Sequence, residues 1–300
     1  MIRLGIVDFD SSHSIEFTRR FNHAGVDSDQ YVEGARVVAG WPGSSLMSPE
    51  RIPGFTDQVA SCGVELVDSA EMLLERIDAV LVLSLCGTAH LERVRPFLTA
   101  GIPAFVDKPF ACTVDDARQM IQLANEKNVT LLNSSALRYS AEIEQFHQRQ
   151  TEYGTVQGAI TYGPAKRAEG NPGLFHYGIH AVEALFALMG SGCNSVTTEH
   201  TEGAEVVTAR WNDGRLASVR GNRQGATAYG FIAFTENAVI HQPFSTRFAY
   251  RNLCERIVQT FETGEPAVAN ETSLEIVKFI TASLESERQG GETVPLDSVG

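Results

Sequence analysis

The chain is 300 residues long, 43% hydrophobic and 20% charged, ordinary values for a globular protein with a full core. Its net charge of −13 argues against nucleic acid as the main partner, because phosphate binding needs clustered Lys and Arg. Five cysteines, an odd number with no Cys-x-x-Cys spacing, point to reduced thiols rather than a disulfide framework or a zinc site.

Met1-Ile2-Arg3-Leu4-Gly5 enters a strand pattern at once, without the basic region and apolar run of a signal peptide. No stretch reaches the ~18 uninterrupted apolar residues of a membrane span. The expectation is therefore a cytoplasmic protein with no membrane partner.

Residues 1–133 alternate strands and helices as a parallel sheet requires. Strands are predicted at 4–7, 35–39, 65–67, 79–85, 104–106 and 129–132. Helices are predicted at 11–24, 69–76, 91–100 and 114–127. The stretch 41–55, rich in Pro, Gly and Ser, reads as a long loop. After Tyr139 the character changes. Longer strands are predicted at 156–162, 206–211, 216–221 and 229–235, with Asn212-Asp213-Gly214 as a hairpin turn between two of them. Helices are predicted at 174–189 and 274–288. The fold class is α/β: a Rossmann-type parallel-sheet domain (1–133), then an α+β domain with a largely antiparallel open sheet (134–300). The C-terminal helix is free to pack back on the first domain.

Gly101-Ile102-Pro103-Ala104-Phe105-Val106-Asp107-Lys108-Pro109 is the most informative stretch. A short apolar strand ends abruptly in acid, base and proline. In open α/β sheets ligands bind at the carboxyl ends of strands, so Lys108 is expected at a crevice rather than on a solvated face. Pro109 is a candidate for a cis bond. The alternative is a lysine that merely ends a strand, with Asp107 capping the next helix.

After the first strand a dinucleotide fold usually carries Gly-x-Gly-x-x-Gly, so that backbone can approach a pyrophosphate at a helix N-terminus. Here the turn reads Asp8-Phe9-Asp10-Ser11-Ser12-His13. Two carboxylates stand where glycines are expected, and a carboxylate repels a pyrophosphate by about 1 kcal/mol or more. Asp10 or Ser11 is also a natural helix cap. After the second strand, Ala39-Gly40-Trp41-Pro42-Gly43-Ser44-Ser45 has no acid to take ribose hydroxyls. Ser44 and Ser45 could contact ribose or a 2′-phosphate instead. In Phe175-His176-Tyr177-Gly178-Ile179-His180-Ala181-Val182-Glu183, a helix through 174–189 would put His176, His180 and Glu183 on one face. Such a stripe suits proton transfer or a metal, although a histidine on an apolar helix is more often a satisfied core residue.

Taken together these motifs resemble the Gfo/Idh/MocA family of oxidoreductases across nearly the whole chain. Asp107-Lys108-Pro109 is similar to its Glu-Lys-Pro signature, and Ser84-Leu85-Cys86-Gly87-Thr88-Ala89-His90 to its Thr-Pro-x-x-x-His turn. Ser135-Ala136-Leu137-Arg138-Tyr139 sits where the family places a junction arginine, and Gly178-Ile179-His180-x-x-Glu183 resembles its Gly-x-His-x-x-Asp helix. The resemblance implies NAD or NADP, a small sugar- or polyol-like substrate, and a homodimer through the second sheet. It implies catalytic roles for Lys108, which would orient substrate and cofactor, and His180, which would accept a hydroxyl proton. Glu183 would take the family's acidic position, and His176 replaces its usual Asp. The candidate cofactor set is Asp8, Asp10, Ser11, Ser12, His13, Trp41, Ser44, Leu85, His90, Asp107, Lys108 and Arg138, with no resident metal. Two other readings stay open. One is a metal-assisted lyase, isomerase or hydrolase using His176, His180 and Glu183. The other is a non-catalytic ligand-binding relative that has lost its cofactor.

Overall fold

The structure is a computed structural model that describes residues 1–300. The chain divides into two compact units, one of residues 1–111, 115–134 and 250–270, the other of 112–114, 135–249 and 271–300.

The first unit is built on six parallel strands: β1 (Ile2–Val7), β2 (Ala35–Trp41), β3 (Glu65–Leu66), β4 (Ala79–Val82), β5 (Ala104–Val106) and β6 (Leu131–Asn133). Their order is β3-β2-β1-β4-β5-β6. The order reverses between β1 and β4, and a doubly wound sheet opens its ligand crevice at that switch point. Strands covered on both faces read as unbroken apolar runs. Ala79–Val82, Ala104–Val106 and Leu131–Leu132 are such runs, and all are buried. The covering helices are α1 (His13–Phe21), α2 (Ile52–Ser61), α3 (His90–Thr99) and α4 (Val114–Lys127).

Two local expectations change. The loop predicted at 41–55 ends early, because α2 begins at Ile52 with Pro53 in its first turn. Proline suits that position, where its missing N–H costs nothing; within a Pro/Gly-rich stretch it reads as a loop residue. The helix predicted at 69–76 is only a 3₁₀ turn at Ala70–Leu73.

The second unit contains α5 (Ala141–Gln148), α6 (Gln150–Tyr153), β7 (Val156–Pro164), α7 (Ile179–Met189), β8 (Cys193–His200), β9 (Ala204–Trp211), β10 (Leu216–Asn222), β11 (Gly230–Thr235) and β12 (Val239–Pro243). After α8 (Ala249–Thr263) come α9 (Asn270–Arg288) and β13 (Val294–Pro295). The sheet runs β12-β11-β7-β10-β9-β8-β13. Only β7 and β10 pair in parallel; the other neighbours are antiparallel. One face of the sheet is covered by the apolar helix α7, tied to it where Thr161 donates to the Ala181 carbonyl at 2.8 Å.

The units part at Ser134/Ser135, but residues 250–270 return to the first unit while α9 stays with the second. Within the first unit, Leu253, Cys254 and Ile257 of α8 are fully buried, and Tyr250 meets the rings of His13 and Phe17. All five cysteines are free thiols, and no helix is long and apolar enough to cross a membrane.

Candidate active site

In the first unit the carboxyl ends of β1, β2 and β4 enclose a cleft of about 320 Å³, lined among others by Asp10, Ser44, Ser45, Ser84, Thr88 and Arg93. Asp8, the residue after β1, is buried and holds φ +66°. Ser84 Oγ donates to its Oδ2 at 2.5 Å and Arg93 Nε at 2.9 Å, while its buried Oδ1 has no partner. Burial pushes the Asp8 carboxyl up, against the pull of Ser84 and Arg93. Arg93 also donates to Ser44 Oγ at 2.9 Å and lies over the Trp41 ring at 4.9 Å. Gly43, at φ +66°, passes so close that a Cβ would sit 1.7 Å from Asp8 Oδ1. Only glycine fits there without displacing the Asp8 side chain.

Asp10 is also buried and accepts the Leu85 N–H at 2.9 Å, fixing the turn after β4. Ser11 organises the start of α1: its hydroxyl accepts the His13 N–H at 3.3 Å and its carbonyl the Ser14 N–H at 3.2 Å. Ser12 is exposed and caps nothing with its side chain. His90 is fully buried, with Nδ1 3.1 Å from the Phe110 carbonyl and Nε2 2.9 Å from the Ser84 carbonyl.

At the end of β5, Asp107 is fully buried and its Oδ2 lies 2.6 Å from His13 Nδ1. Burial alone would raise this carboxyl. The charges of His13 and Lys108, with hydrogen bonds from His13 and the Lys108 N–H, outweigh it and hold Asp107 below the usual carboxylate range. The His13 ring stacks on Phe17 and meets Tyr250 edge-on, so it is walled in on both sides. Lys108 follows, 8% exposed, and its bond to Pro109 is cis. The Asp107–His13 pair ties the residue before Lys108 to the start of α1.

The second unit holds a separate cluster. The His176–His180–Glu183 stripe does not form. Residues 173–175 are a 3₁₀ turn, His176 has ψ −95°, and α7 begins only at Ile179. Gly173 at φ +54° after Pro172 breaks the helical path that the apolar spacing suggested. His176 instead packs against the edge of Tyr177. His180 and Glu183 do lie on α7, but each faces a different partner. His180 Nδ1 lies 2.7 Å from Ser135 Oγ. Glu183 is buried and takes Arg138 Nε at 2.8 Å. Burial raises the Glu183 carboxyl, against Arg138 and the Ser135 N–H. No group of three or more His, Cys, Asp or Glu is placed to hold a metal ion, so the metal-assisted reading has no ligand set.

Three residues central to this geometry were not candidates from the sequence: Arg93, Ser84 and Ser135. Arg93 and Ser135 lie 85 and 45 positions from the groups they serve. The available signal was a lone arginine three residues after His90, and a serine beside the junction Arg138.

Residues 48–135 match the model of the GFO_IDH_MocA family, described as an oxidoreductase family with an NAD-binding Rossmann fold. Over that stretch, part of the first unit, the chain is similar to the Gfo/Idh/MocA oxidoreductases. The chain is 32% identical over 119 residues to YceM of Salmonella typhimurium, covering 40% of this chain and 37% of that protein. It is 40% identical over 60 residues to inositol 2-dehydrogenase of Cereibacter sphaeroides, covering 20% and 18%. The matched stretches thus span well under half of either relative. In fold, the chain resembles a crystal structure of scyllo-inositol dehydrogenase from Lactobacillus casei with bound NAD(H) and scyllo-inositol. That likeness has a TM-score of 0.81 at 16% identity and covers 99% of both chains.

The β2 rim fits a nucleotide: the Ser44 and Ser45 hydroxyls and the Arg93 guanidinium are donors suited to ribose or phosphate oxygens. The β1–α1 turn differs from the glycine pattern. It presents Asp8, with its charge matched by Arg93, where backbone would otherwise approach the pyrophosphate.

Proposed function

We propose that the chain is an NAD(P)-dependent oxidoreductase acting on a hydroxyl or carbonyl group of a small, polar, sugar- or polyol-like substrate. The observation that carries this reading is Lys108. It is a nearly buried lysine, anchored by the Asp107–His13 pair, at a strand's carboxyl end in a unit that matches an NAD-binding oxidoreductase family. The inositol dehydrogenases among the relatives favour a polyol over other small alcohols.

The nicotinamide, when bound, accepts or gives the hydride. Ser44, Ser45 and Arg93 would hold the ribose and its phosphate, and the absence of an acid after β2 leaves room for a 2′-phosphate. Lys108 offers three N–H donors to a substrate oxygen and stabilises negative charge as it develops there. His180 would take the hydroxyl proton as the hydride leaves carbon, and return it in the reverse direction. The Glu183–Arg138 pair holds α7 to the 135–140 segment and leaves the proton chemistry to His180.

Ligands that bind only the folded state raise its stability by RT ln(1 + [L]/Kd), about 2.7 kcal/mol at a hundredfold excess over Kd. Thermal melts with NAD, NADH, NADP and NADPH should therefore separate one preferred pair from the rest, followed by turnover on a polyol panel. No shift with any of the four, together with no turnover, would leave the cofactor-free relative as the better reading.

The chain is also inferred to act as a homodimer. The open face of its second sheet exposes Leu216, Phe234 and Val239, with Ile160 opposite Ile232 in register. A second copy laid on this face would remove that apolar surface from water. Phe234→Glu should then halve the mass seen by light scattering at micromolar concentration. A monomeric wild type would rule the dimer out.

A further inference from the structure

We propose that Ser135 is a positioning residue for His180, a hydroxyl that remains hydrogen-bonded to Nδ1 through every protonation state the imidazole visits. The inference rests on His180 being the acid–base group of the proposed reaction.

The geometry is confined to one unit. Ser135 is fully buried and precedes the 3₁₀ turn Ala136–Tyr139. Its Oγ lies 2.7 Å from His180 Nδ1 and accepts the Leu137 N–H at 3.3 Å, which fixes where the oxygen sits. Its backbone N–H reaches the Glu183 carboxylate. Ser135 therefore touches both functional side chains of α7, one turn apart, and each through a different atom. Glu183, the nearest carboxylate along the helix, is bound to Arg138. Tyr229 meets the imidazole edge-on at 5.6 Å between ring centres. His176 lies upstream of the helix against Tyr177.

A carboxylate behind an imidazole only accepts, so it fixes the proton on the nitrogen it faces. A hydroxyl donates or accepts. When His180 is ready to act as a base, its proton is on Nδ1 and donates to Ser135 Oγ, which also accepts the Leu137 N–H. Nε2 then takes the substrate's hydroxyl proton as the hydride departs. Nδ1–H keeps the same hydrogen bond in the imidazolium. In the other neutral form, with the proton on Nε2, the serine hydroxyl turns and donates to Nδ1. His180 can thus run as base or as acid with Ser135 as an unmoved partner.

The test uses the intact protein. Nitrogen-15 NMR of the His180 ring should report a mixture of the two neutral forms in the wild type. Ser135→Ala, which removes the partner but keeps the backbone bond to Glu183, should change that mixture. It should also lower kcat by about tenfold at unchanged KM, the scale of one lost orienting hydrogen bond. Ser135→Thr, which keeps a hydroxyl, should restore kcat to within about threefold on the same scale. Ser135→Asp should move the acid limb of the pH–rate profile upward by about one unit or more, since a carboxylate favours the imidazolium. If Ser135→Ala leaves the ring nitrogens, kcat and the pH profile as in the wild type, the proposal is wrong. The NMR arm needs no substrate, so it tests Ser135 even if the assigned reaction fails. An active His180→Asn enzyme with an unchanged pH profile would instead overturn the role of His180.

Discussion

Two histidines in this molecule are held through Nδ1, and they are held by different chemistry. In the first unit His13 faces the fully buried Asp107 carboxylate at 2.6 Å and is enclosed by Phe17 and Tyr250. In the second unit half-buried His180 faces the Ser135 hydroxyl at 2.7 Å. A carboxylate partner fixes one tautomer and favours the cation; a hydroxyl does neither. The first arrangement suits a permanent brace for the strand end that presents Lys108. The second suits a group that gains and loses a proton in each turnover. The same contrast runs through the carboxylates. Asp8 and Glu183 are each matched to an arginine and raised by burial, whereas Asp107, between His13 and Lys108, is lowered.

The contrast can be broken most forcefully at Arg138. Arg138→Met strands the buried Glu183 carboxylate and should cost about 3–5 kcal/mol in denaturant unfolding, the usual penalty for halving a buried ion pair. A loss below about 1 kcal/mol would mean that Glu183 is already protonated in the folded protein.

Lys108→Ala should lower turnover by roughly 100-fold or more, the loss expected for a positioned proton-transfer or orienting group. Its melting temperature should fall only slightly, because His13 still pairs with Asp107 once the Lys108 charge is gone. Unchanged turnover on the true substrate would sink the assignment of Lys108.

Asp107→Asn sharpens the comparison through pH. Its folded pKa lies below the unfolded value of about 3.9. The carboxylate therefore contributes stability that is complete above that value and is lost as pH falls through the folded pKa. The variant should be less stable by about 1.5–3 kcal/mol at neutral pH, as for a hydrogen bond to a charged group. It should also lose much of the wild type's decline below about pH 4. A variant as acid-sensitive as the wild type would move that role away from Asp107.

The smallest effect is expected at Asp10. Asp10→Gly removes a negative charge from the cleft wall and should tighten nicotinamide dinucleotide binding by a few-fold, about 1 kcal/mol of relieved repulsion. Weaker binding would instead show that the Asp10–Leu85 bond shapes the site.

What the sequence revealed follows from how local each feature is. The parallel strands and the place of Lys108 were readable, because buried strands are apolar runs and the Asp-Lys-Pro exit breaks one sharply. The hairpin at Asn212-Asp213-Gly214 was readable from its turn residues, and β9 and β10 do pair there. The histidine stripe misled, because spacing carries meaning only inside a continuous helix and α7 starts three residues after His176. The α8 helix lies outside the predicted helices although its buried residues recur at helical spacing. The Arg93–Asp8 and Ser135–His180 contacts were invisible for a different reason: each joins segments far apart in the chain that only the fold brings together.

The most direct test of the central claim follows nicotinamide absorbance while wild type and His180→Asn are offered a panel of inositols and related polyols with NAD and NADP. Saturable, cofactor-dependent hydride transfer by the wild type is predicted, falling at least tenfold in His180→Asn with cofactor affinity nearly unchanged, the scale of a lost general base. No transfer to either cofactor from any polyol, with no cofactor binding in melts, would contradict it.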